Sequence, residues 1–331
     1  GRCRLVSKLG EGSMGTVWEA WHTTLGIPVA VKLLRNPGDR ESAVRALERF
    51  RMEAQVAARI DHPSVVRVFD FGEDDRPYLI MELVRGPDLQ AWMRTRTLVD
   101  EILALKVVGH VGVGLAAMHR CGVVHRDLKP SNILISEGVA LKIADLGLAR
   151  SPGDRFREDT ISGTPQYIAP ESIGPANGSD PRSDLYSLGV ILYRMLLGRL
   201  PFMGSAQDVL RAQMRENPDW SLPEEARIDA GTLFIARRLL EKDPERRLQS
   251  AVEVVQACRE QVSRLQARME DALPENVARS GVRRPLLRER LAELRREERA
   301  RHAEQAGFWR KRWGWFAAAA LVAAGYFAGR M

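Results

Sequence analysis

The sequence has little cysteine and little aromatic content. Only three of its 331 residues are cysteines, and Cys3, Cys121 and Cys258 stand far apart, with no Cys-x-x-Cys pair. This spacing excludes a disulfide framework and a cysteine-based zinc site, and it favours a reducing compartment.

An excess of charge is also missing from most of the chain. Residues 1–262 contain 35 basic and 35 acidic residues, whereas residues 263–312 contain 14 basic and 8 acidic ones. The net charge of +7 is therefore concentrated near the C-terminus. A protein that binds the phosphate backbone of nucleic acid needs a basic face on its folded domain. We therefore expect no nucleic-acid partner.

Hydrophobic periodicity divides residues 1–262 into a small β-rich part and a larger helical part. The strand-like segments are RLVSKLG, GTVWEAWH, IPVAVKLLR, VVRVFDFGE and PYLIMELV. Helical spacing covers residues 42–60, 88–94, 100–119, 183–197, 206–215, 230–240 and 250–259. This order predicts an α+β fold with two lobes, a β-rich lobe over about 1–82 and a helical lobe over about 83–262.

Two further segments close the chain. Residues 263–312 are predicted to form a charged linker containing a helix. Residues 313–329 lack charge and, at 17 residues, reach the lower limit for a membrane-spanning helix, about 17–25 residues. Trp309, Trp313 and Trp315 lie at one end of this segment, and Arg310, Lys311 and Arg312 flank it, as at a membrane interface. We expect a single span at the cytoplasmic membrane, with the preceding residues in the cytoplasm; a buried or interfacial helix is the alternative.

Three glycines near the N-terminus, Gly10, Gly12 and Gly15, have the spacing Gly-x-Gly-x-x-Gly. A dinucleotide-binding turn with this spacing leads into a helix. Here the next segment, TVWEAWH, is β-like, and Lys32 follows in VAVK. The glycines are therefore expected to join two strands as a flap whose N–H groups can approach phosphates. A lysine among apolar residues needs a partner, and Glu53 on the next helix is expected to supply it.

Five short segments occur in a fixed order: GEGSMGTV, VAVK, HRDLKPSN, DLG and APE. Together they match the set of motifs that marks protein kinases. From about residue 5 to 259 the chain closely resembles the bacterial eukaryotic-like (Hanks-type) serine/threonine protein kinases, many of which are membrane-tethered. The resemblance implies the bilobal protein-kinase fold over residues 1–262. It also implies transfer of the γ-phosphoryl group of ATP to protein serine and threonine hydroxyls.

The resemblance assigns chemical roles to the two central motifs. Asp127 orients the attacking hydroxyl and takes its proton, and Lys129 steadies the γ-phosphate and marks serine/threonine specificity. Asn132 and Asp145 are the expected ligands of Mg²⁺, or of Mn²⁺ as a substitute, because hard cations prefer oxygen ligands. The expected catalytic set is Asp127, Lys129, Lys32 and Glu53.

A purine base suits flat apolar walls with a few backbone polar groups. Carried over by resemblance, Val17, Ala30 and Leu134 form the walls, Met81 lies at the back, and the backbone of residues 82–84 hydrogen bonds to the base. The expected nucleotide-binding set is Leu9, Gly10, Glu11, Gly12, Ser13, Gly15, Val17, Ala30, Lys32, Met81, Glu82, Val84 and Leu134.

The segment between DLG and APE resembles an activation segment. Thr160, the preferred site, and Ser162 are its expected phosphorylation sites, and Arg126 is the expected partner of the phosphate. Phosphorylation in trans would require dimerisation. Leu146 replaces the usual phenylalanine of the family, so we expect altered packing there.

Three residues are expected to support the site rather than to react. By resemblance, Glu171 forms a buried ion pair with Arg247, and Asp184 braces the catalytic loop through hydrogen bonds.

Two other functions are weighed against an active kinase. A pseudokinase scaffold would bind nucleotide without transferring phosphate, but such proteins usually lack Lys32, Asp127 or Asp145, and all three are present. A membrane-recruitment module would use the basic segment before residue 313, at about 1 kcal/mol per basic residue near anionic lipid. That function leaves the five motifs unexplained.

Overall fold

A five-stranded antiparallel sheet forms the N-terminal lobe of the computed structural model. Its strands run in the order β1-β2-β3-β5-β4. They are β1 (Cys3–Gly12), β2 (Gly15–His22), β3 (Ile27–Leu34), β4 (Val68–Gly72) and β5 (Tyr78–Glu82). The structure describes residues 2–12, 15–35, 40–137, 140–145, 165–173, 180–224 and 226–271; within these, the side chains of residues 40–42, 45, 49, 53 and 270 are not described.

The sheet and the helix α1 (Arg40–Ala57) pack through apolar side chains. Phe50 and Ala54 of α1 lie with Leu79 of β5 in one buried cluster. The helix ends three residues before the predicted position, because Arg59 and Ile60 close it with shorter i→i−3 hydrogen bonds.

Six helices and a short hairpin form the C-terminal lobe as the structure describes it. The helices are α2 (Leu89–Arg94), α3 (Glu101–Arg120), α4 (Arg182–Leu197), α5 (Ala206–Arg215), α6 (Ala230–Leu239) and α7 (Ala251–Asp271). The hairpin consists of β6 (Ile133–Ile135) and β7 (Leu141–Ile143). Four of these helices are capped by side-chain oxygens, those of Asp88, Asp100, Ser205 and Asp229.

Helix α4 lies at the centre of this lobe. All of its residues except Arg182 and Arg194 are buried, as expected for a helix surrounded by protein. The predicted α+β fold with a β-rich and a helical lobe is thereby confirmed.

Helix α3 is long and apolar enough to cross a membrane by length and composition. Most of it is nevertheless buried, and Leu105, Val108 and Leu115 lie in the core of the C-terminal lobe. No other helix among the described residues meets that test. The predicted span at 313–329 lies outside the described residues.

Helix α7 extends twelve residues beyond its predicted end at residue 259, to Asp271. Its buried side continues past that point through Gln261, Val262 and Leu265. The compact unit accordingly covers Gly1–Gln266, four residues more than the predicted domain. Of the second unit, Ala267–Met331, the structure describes only residues 267–271.

Candidate active site

The loop from His125 to Asn132 is held by Asp184, a fully buried residue in the first turn of α4. The two carboxylate oxygens of Asp184 accept the backbone N–H groups of His125 and Arg126, each at 2.9 Å. His119 Nε2 lies 2.8 Å from the same carboxylate. Arg126 has a φ of 64°, a conformation that costs free energy for a residue other than glycine. The hydrogen bonds that Asp184 accepts hold the loop in that conformation.

Asp127 has its carboxylate fixed from one side. Its Oδ2 accepts hydrogen bonds from Lys129 Nζ at 2.7 Å and from Asn132 Nδ2 at 3.3 Å. Asn132 Nδ2 also donates to the Asp127 carbonyl at 2.9 Å. Among the described residues no donor contacts Oδ1, and the side chain is 31% exposed. One carboxylate oxygen is thus available to accept a proton from a bound hydroxyl.

His125 connects this loop to the residue that precedes Asp145. The ring is fully buried; its Nδ1 accepts the N–H of Asp127 at 3.3 Å, and its Nε2 lies 3.0 Å from the carbonyl of Ala144. Because a carbonyl can only accept, these contacts place the ring proton on Nε2.

The β6–β7 hairpin brings the two expected metal ligands to one end. Asn132 directly precedes β6, Asp145 follows β7 by two residues, and Ala144 N–H donates to the Asn132 carbonyl at 2.8 Å. Because Asn132 Nδ2 is bonded to Asp127, its amide oxygen remains for a metal. The described residues contain no group of three or more His, Cys, Asp or Glu side chains that could hold a metal. One amide oxygen and one carboxylate fit Mg²⁺, which keeps waters and phosphate oxygens as its other ligands.

Lys32 reaches this metal-ligand end from β3. It is only 5% exposed, and its Nζ lies 3.1 Å from Asp145 Oδ1. The Lys32 charge lowers the pKa of Asp145, outweighing the opposite effect of burial. The side chain of Glu53 lies outside the described residues, so the Lys32–Glu53 pair stays a prediction.

The three glycines lie at the end of β1 and the start of β2, which pair with each other. Gly10 pairs with Val17, and Gly12 pairs with Gly15. A Cβ atom on Gly15 would lie 1.9 Å from the carbonyl oxygen of Leu33, so the packing of the chain itself requires glycine there. A Cβ atom on Gly10 or Gly12 would meet no atom within 4 Å. At these two positions the protein's packing leaves open space for a ligand.

Three neighbours of these glycines were also expected to contact the nucleotide. Leu9 is 51% exposed. The Glu11 carboxylate pairs with Lys8 at 2.6 Å and Arg35 at 2.7 Å, and their contacts lower its pKa, Lys8 contributing most. Ser13 lies outside the described residues.

An apolar cluster lies between the sheet and the β6–β7 hairpin. Its buried members are Ala30, Val66 and Met81, and partly buried side chains complete it, namely Val17, Val68, Leu83, Val84, Leu134 and Ala144. The structure thus brings together the three predicted walls of the purine site, Val17, Ala30 and Leu134, and the predicted back residue Met81. The side chains of Val66, Val68, Leu83 and Ala144 were not predicted for this cluster; of these, only the place of Ala144 next to Asp145 was a usable signal.

Glu82 is held from both sides. Its N–H donates to the Arg67 carbonyl at 2.8 Å, and its carboxylate pairs with Lys142 of β7 at 2.9 Å. The Glu82 N–H therefore already donates within the protein. Of the predicted backbone donors to the base in residues 82–84, this one is not available. Among the described residues no hydrogen bond engages the N–H of Val84.

The predicted ion pair of the scaffold is present. Arg247, fully buried, donates to both carboxylate oxygens of Glu171, at 2.5 and 2.6 Å. It also donates to three backbone carbonyls, those of Arg182, Glu241 and Lys242. Thr160, Ser162 and Leu146 lie outside the described residues.

Comparison with known proteins agrees with this geometry. Residues 3–259 match the model of the protein kinase domain. The chain is 39% identical to the probable serine/threonine-protein kinase SCO3848 of Streptomyces coelicolor, over 78% of this chain and 40% of that protein. It is 38% identical to the serine/threonine-protein kinase pkn2 of Myxococcus xanthus, over 78% and 32%.

A third relative is the serine/threonine-protein kinase PknB of Mycobacterium tuberculosis, 37% identical over 76% of this chain and 42% of that protein. The chain therefore spans less than half the length of these relatives. The match over residues 3–259 nevertheless covers most of this chain, and the chain belongs to the protein kinase domain family.

Proposed function

We propose that this chain is a serine/threonine protein kinase that transfers the γ-phosphoryl group of Mg-ATP to protein hydroxyls. One observation carries the proposal. Contacts link Lys32 to Asp145, Ala144 to Asn132, and Asn132 to Asp127, so that a cation, the metal ligands and a base lie in one continuous group.

The reaction follows from the residues of this group. Asp127 accepts the proton of the substrate hydroxyl as its oxygen bonds to the γ-phosphorus and the bond to the β-phosphate oxygen breaks, which releases ADP. Lys129 lies 2.7 Å from Asp127 and supplies positive charge for the transferred group. Asn132 and Asp145 would hold a divalent metal, which would neutralise charge at the phosphate oxygens. Lys32 orients the α- and β-phosphates.

Serine and threonine as acceptors are supported by two observations. Lys129 follows the base by two residues, as in the serine/threonine kinases that the chain resembles. The names of the relatives given above state the same specificity for those proteins.

The test uses the full 331-residue chain in detergent with [γ-³²P]ATP, Mg²⁺ and myelin basic protein. Wild type is compared with Asp127→Asn and with the exposed control Asp75→Asn. We expect labelled phosphoserine and phosphothreonine from wild type and control only. Equal background labelling by wild type and Asp127→Asn, with ATP still bound, would establish the pseudokinase instead.

We further propose that the chain phosphorylates its own activation segment in trans, at Thr160 or Ser162. A phosphate there would form charge-assisted hydrogen bonds with Arg126, which directly precedes the base. Mass spectrometry of active wild type should find the modification and should not find it in Asp127→Asn. A fully active chain with both hydroxyls unmodified would refute this part.

Anchoring at the cytoplasmic membrane through residues 313–329 is also proposed, from their length, lack of charge and aromatic and basic flanks. After carbonate washing of membranes, the chain should stay in the pellet, and a variant with two arginines inserted into this segment should not. Release of the wild-type chain would contradict the span.

A further inference from the structure

A directed chain of three hydrogen bonds joins Lys242 to the short helical turn Pro165–Tyr167. Lys242 Nζ donates to the Tyr186 hydroxyl at 3.2 Å. The Tyr186 hydroxyl donates to Gln213 Oε1. Gln213 Nε2 then donates to the backbone carbonyl of Gln166 at 2.6 Å. The chain thus crosses from the segment before α7 through α4 and α5 to the turn.

The middle of this chain of hydrogen bonds is buried. Tyr186 and Gln213 are fully buried, whereas Lys242 is half-buried. The Lys242 ammonium lies 4.3 Å from the centre of the Phe202 ring and 3.4 Å from the Ala212 carbonyl. Buried polar groups that are all paired fix one arrangement of side chains.

The charge of Lys242 determines which groups donate and which accept in this chain of hydrogen bonds. An ammonium group has three donors and no acceptor, so the Tyr186 oxygen must accept from it and the Tyr186 proton must go to Gln213. The amide of Gln213 is then oriented with its NH₂ group toward Gln166. A neutral amine has a lone pair, which competes with Gln213 for the Tyr186 proton.

Helix α4 binds both the turn at the far end and the loop that carries the base. Asp184 binds the backbone beside Asp127, and Ser187 Oγ, less than one helical turn later, donates to the Tyr167 carbonyl at 2.7 Å. The Tyr167 hydroxyl in turn accepts from Arg194 at 2.8 Å. We therefore expect a peptide whose hydroxyl reaches Asp127 to contact this turn.

Gln166 needs the bond from Gln213. Its Oε1 is buried and has no hydrogen-bond partner among the residues that the structure describes. An unpaired buried acceptor disfavours the conformation that contains it. The short bond from Gln213 to the carbonyl of the same residue opposes that tendency.

We propose that Lys242 is a positioning residue for the protein substrate, and that it acts through Tyr186 and Gln213 on the turn Pro165–Tyr167. The proposal rests on the kinase function proposed above. It predicts an effect on the KM for the protein substrate and none on the KM for ATP, because the chain of bonds ends at the turn and not at Lys32.

The charged surroundings make the effect depend on pH. Burial, followed by the charge of Arg247, lowers the pKa of Lys242 to about 8, while Glu216 at the end of α5 acts in the opposite direction. Arg247 is itself paired with Glu171, and burial raises the pKa of Tyr186 above its usual range. Lys242 should therefore lose its charge between about pH 7 and 9.

Unfolding of the protein would not explain a loss of substrate affinity at alkaline pH. Because the pKa of Lys242 is lower in the folded chain than its usual 10.5, this group favours the folded state increasingly as pH rises from about 8 to that value. A weaker affinity for substrate at alkaline pH would then reflect position and not denaturation.

The experiment measures steady-state kinetics of the full chain with myelin basic protein and with ATP at pH 6.5 to 9.5. We expect Lys242→Met to raise the KM for the protein about tenfold at pH 7, as for one lost charge-assisted hydrogen bond. Wild type should approach the same KM above pH 8. Lys242→Arg, which stays charged, should remove this pH dependence, and Tyr186→Phe should resemble Lys242→Met without adding to it.

The exposed Lys106→Met is the matched control for loss of one lysine charge. A substrate KM that is the same in Lys242→Met and in the control overturns the proposal, as does a pH profile that persists unchanged in Lys242→Met. Equal rises in the KM for ATP and for protein would indicate general damage and would also overturn it. A wild-type chain without any transfer activity would refute the kinase function itself.

Discussion

Replacing Glu171 by glutamine should destabilise the fold more than any exposed charge change. The substitution keeps the size of the side chain but removes the negative charge that faces Arg247, which is fully buried. Breaking a buried pair by removing one partner costs about 3–5 kcal/mol. We expect about 3 kcal/mol here, the lower end, because the Glu171 side chain is 21% exposed and Arg247 keeps three carbonyl acceptors.

Thermal unfolding monitored by circular dichroism measures this loss. For a domain of this size, 3 kcal/mol corresponds to a fall in Tm of about 6–12 °C. The matched control is Glu245→Gln, since Glu245 pairs with Arg182 at 2.9 Å but is 75% exposed. An exposed pair contributes at most about 1 kcal/mol. Kinase activity of Glu171→Gln should fall with the unfolded fraction.

A Tm of Glu171→Gln within about 2 °C of the Glu245→Gln control would contradict this expectation, because the two ion pairs would then contribute similarly to stability.

Three further substitutions test the site. Lys32→Met should lower kcat/KM for ATP roughly 10–100-fold, the range for a lost charged contact. It should also raise the pKa of Asp145 and so move the acidic limb of the pH–rate profile to higher pH. An unchanged acidic limb would contradict the effect of the Lys32 charge on Asp145. Gly15→Ala should lower Tm because its Cβ meets the backbone carbonyl of Leu33, while Gly12→Ala should not. Equal melting of the two variants would contradict the close approach of Gly15 to Leu33. Asp184→Asn should cost about 2–3 kcal/mol in denaturant unfolding because an amide cannot accept all three donors that the carboxylate binds; an unchanged midpoint would exclude its bracing role.

The two-lobed fold could be predicted because each lobe has its own periodicity and local signals. The strands β1 to β3 coincide with short segments rich in apolar residues, and the turn between β2 and β3 uses Gly26 at a φ of 66°. The ends of α1 and α7 were misplaced, because helix ends depend on packing with distant residues. In α7, the buried Gln261 bonds to Asp229 at 2.7 Å, a contact that no local pattern announces.

The residues of the site could be predicted only from the order and spacing of the motifs along the sequence. Lys32 and Asp145 are 113 residues apart, and nothing in either segment alone indicates their contact at 3.1 Å. The Glu82–Lys142 pair and the bond from Gln213 to Gln166 carry no motif at all. Such long-range polar contacts arise from the tertiary arrangement and have no period to detect.

The central claim is that Lys32, Asn132 and Asp145 surround one metal-bound triphosphate, with Asp127 beside it. A crystal structure of the chain with Mg²⁺ and the non-hydrolysable analogue AMP-PNP tests it most directly. We predict a Mg²⁺ ion about 2.0–2.1 Å from carboxylate oxygen of Asp145 and amide oxygen of Asn132. Lys32 Nζ should contact the phosphates. An analogue bound elsewhere, or a metal held by neither Asn132 nor Asp145, would contradict the account.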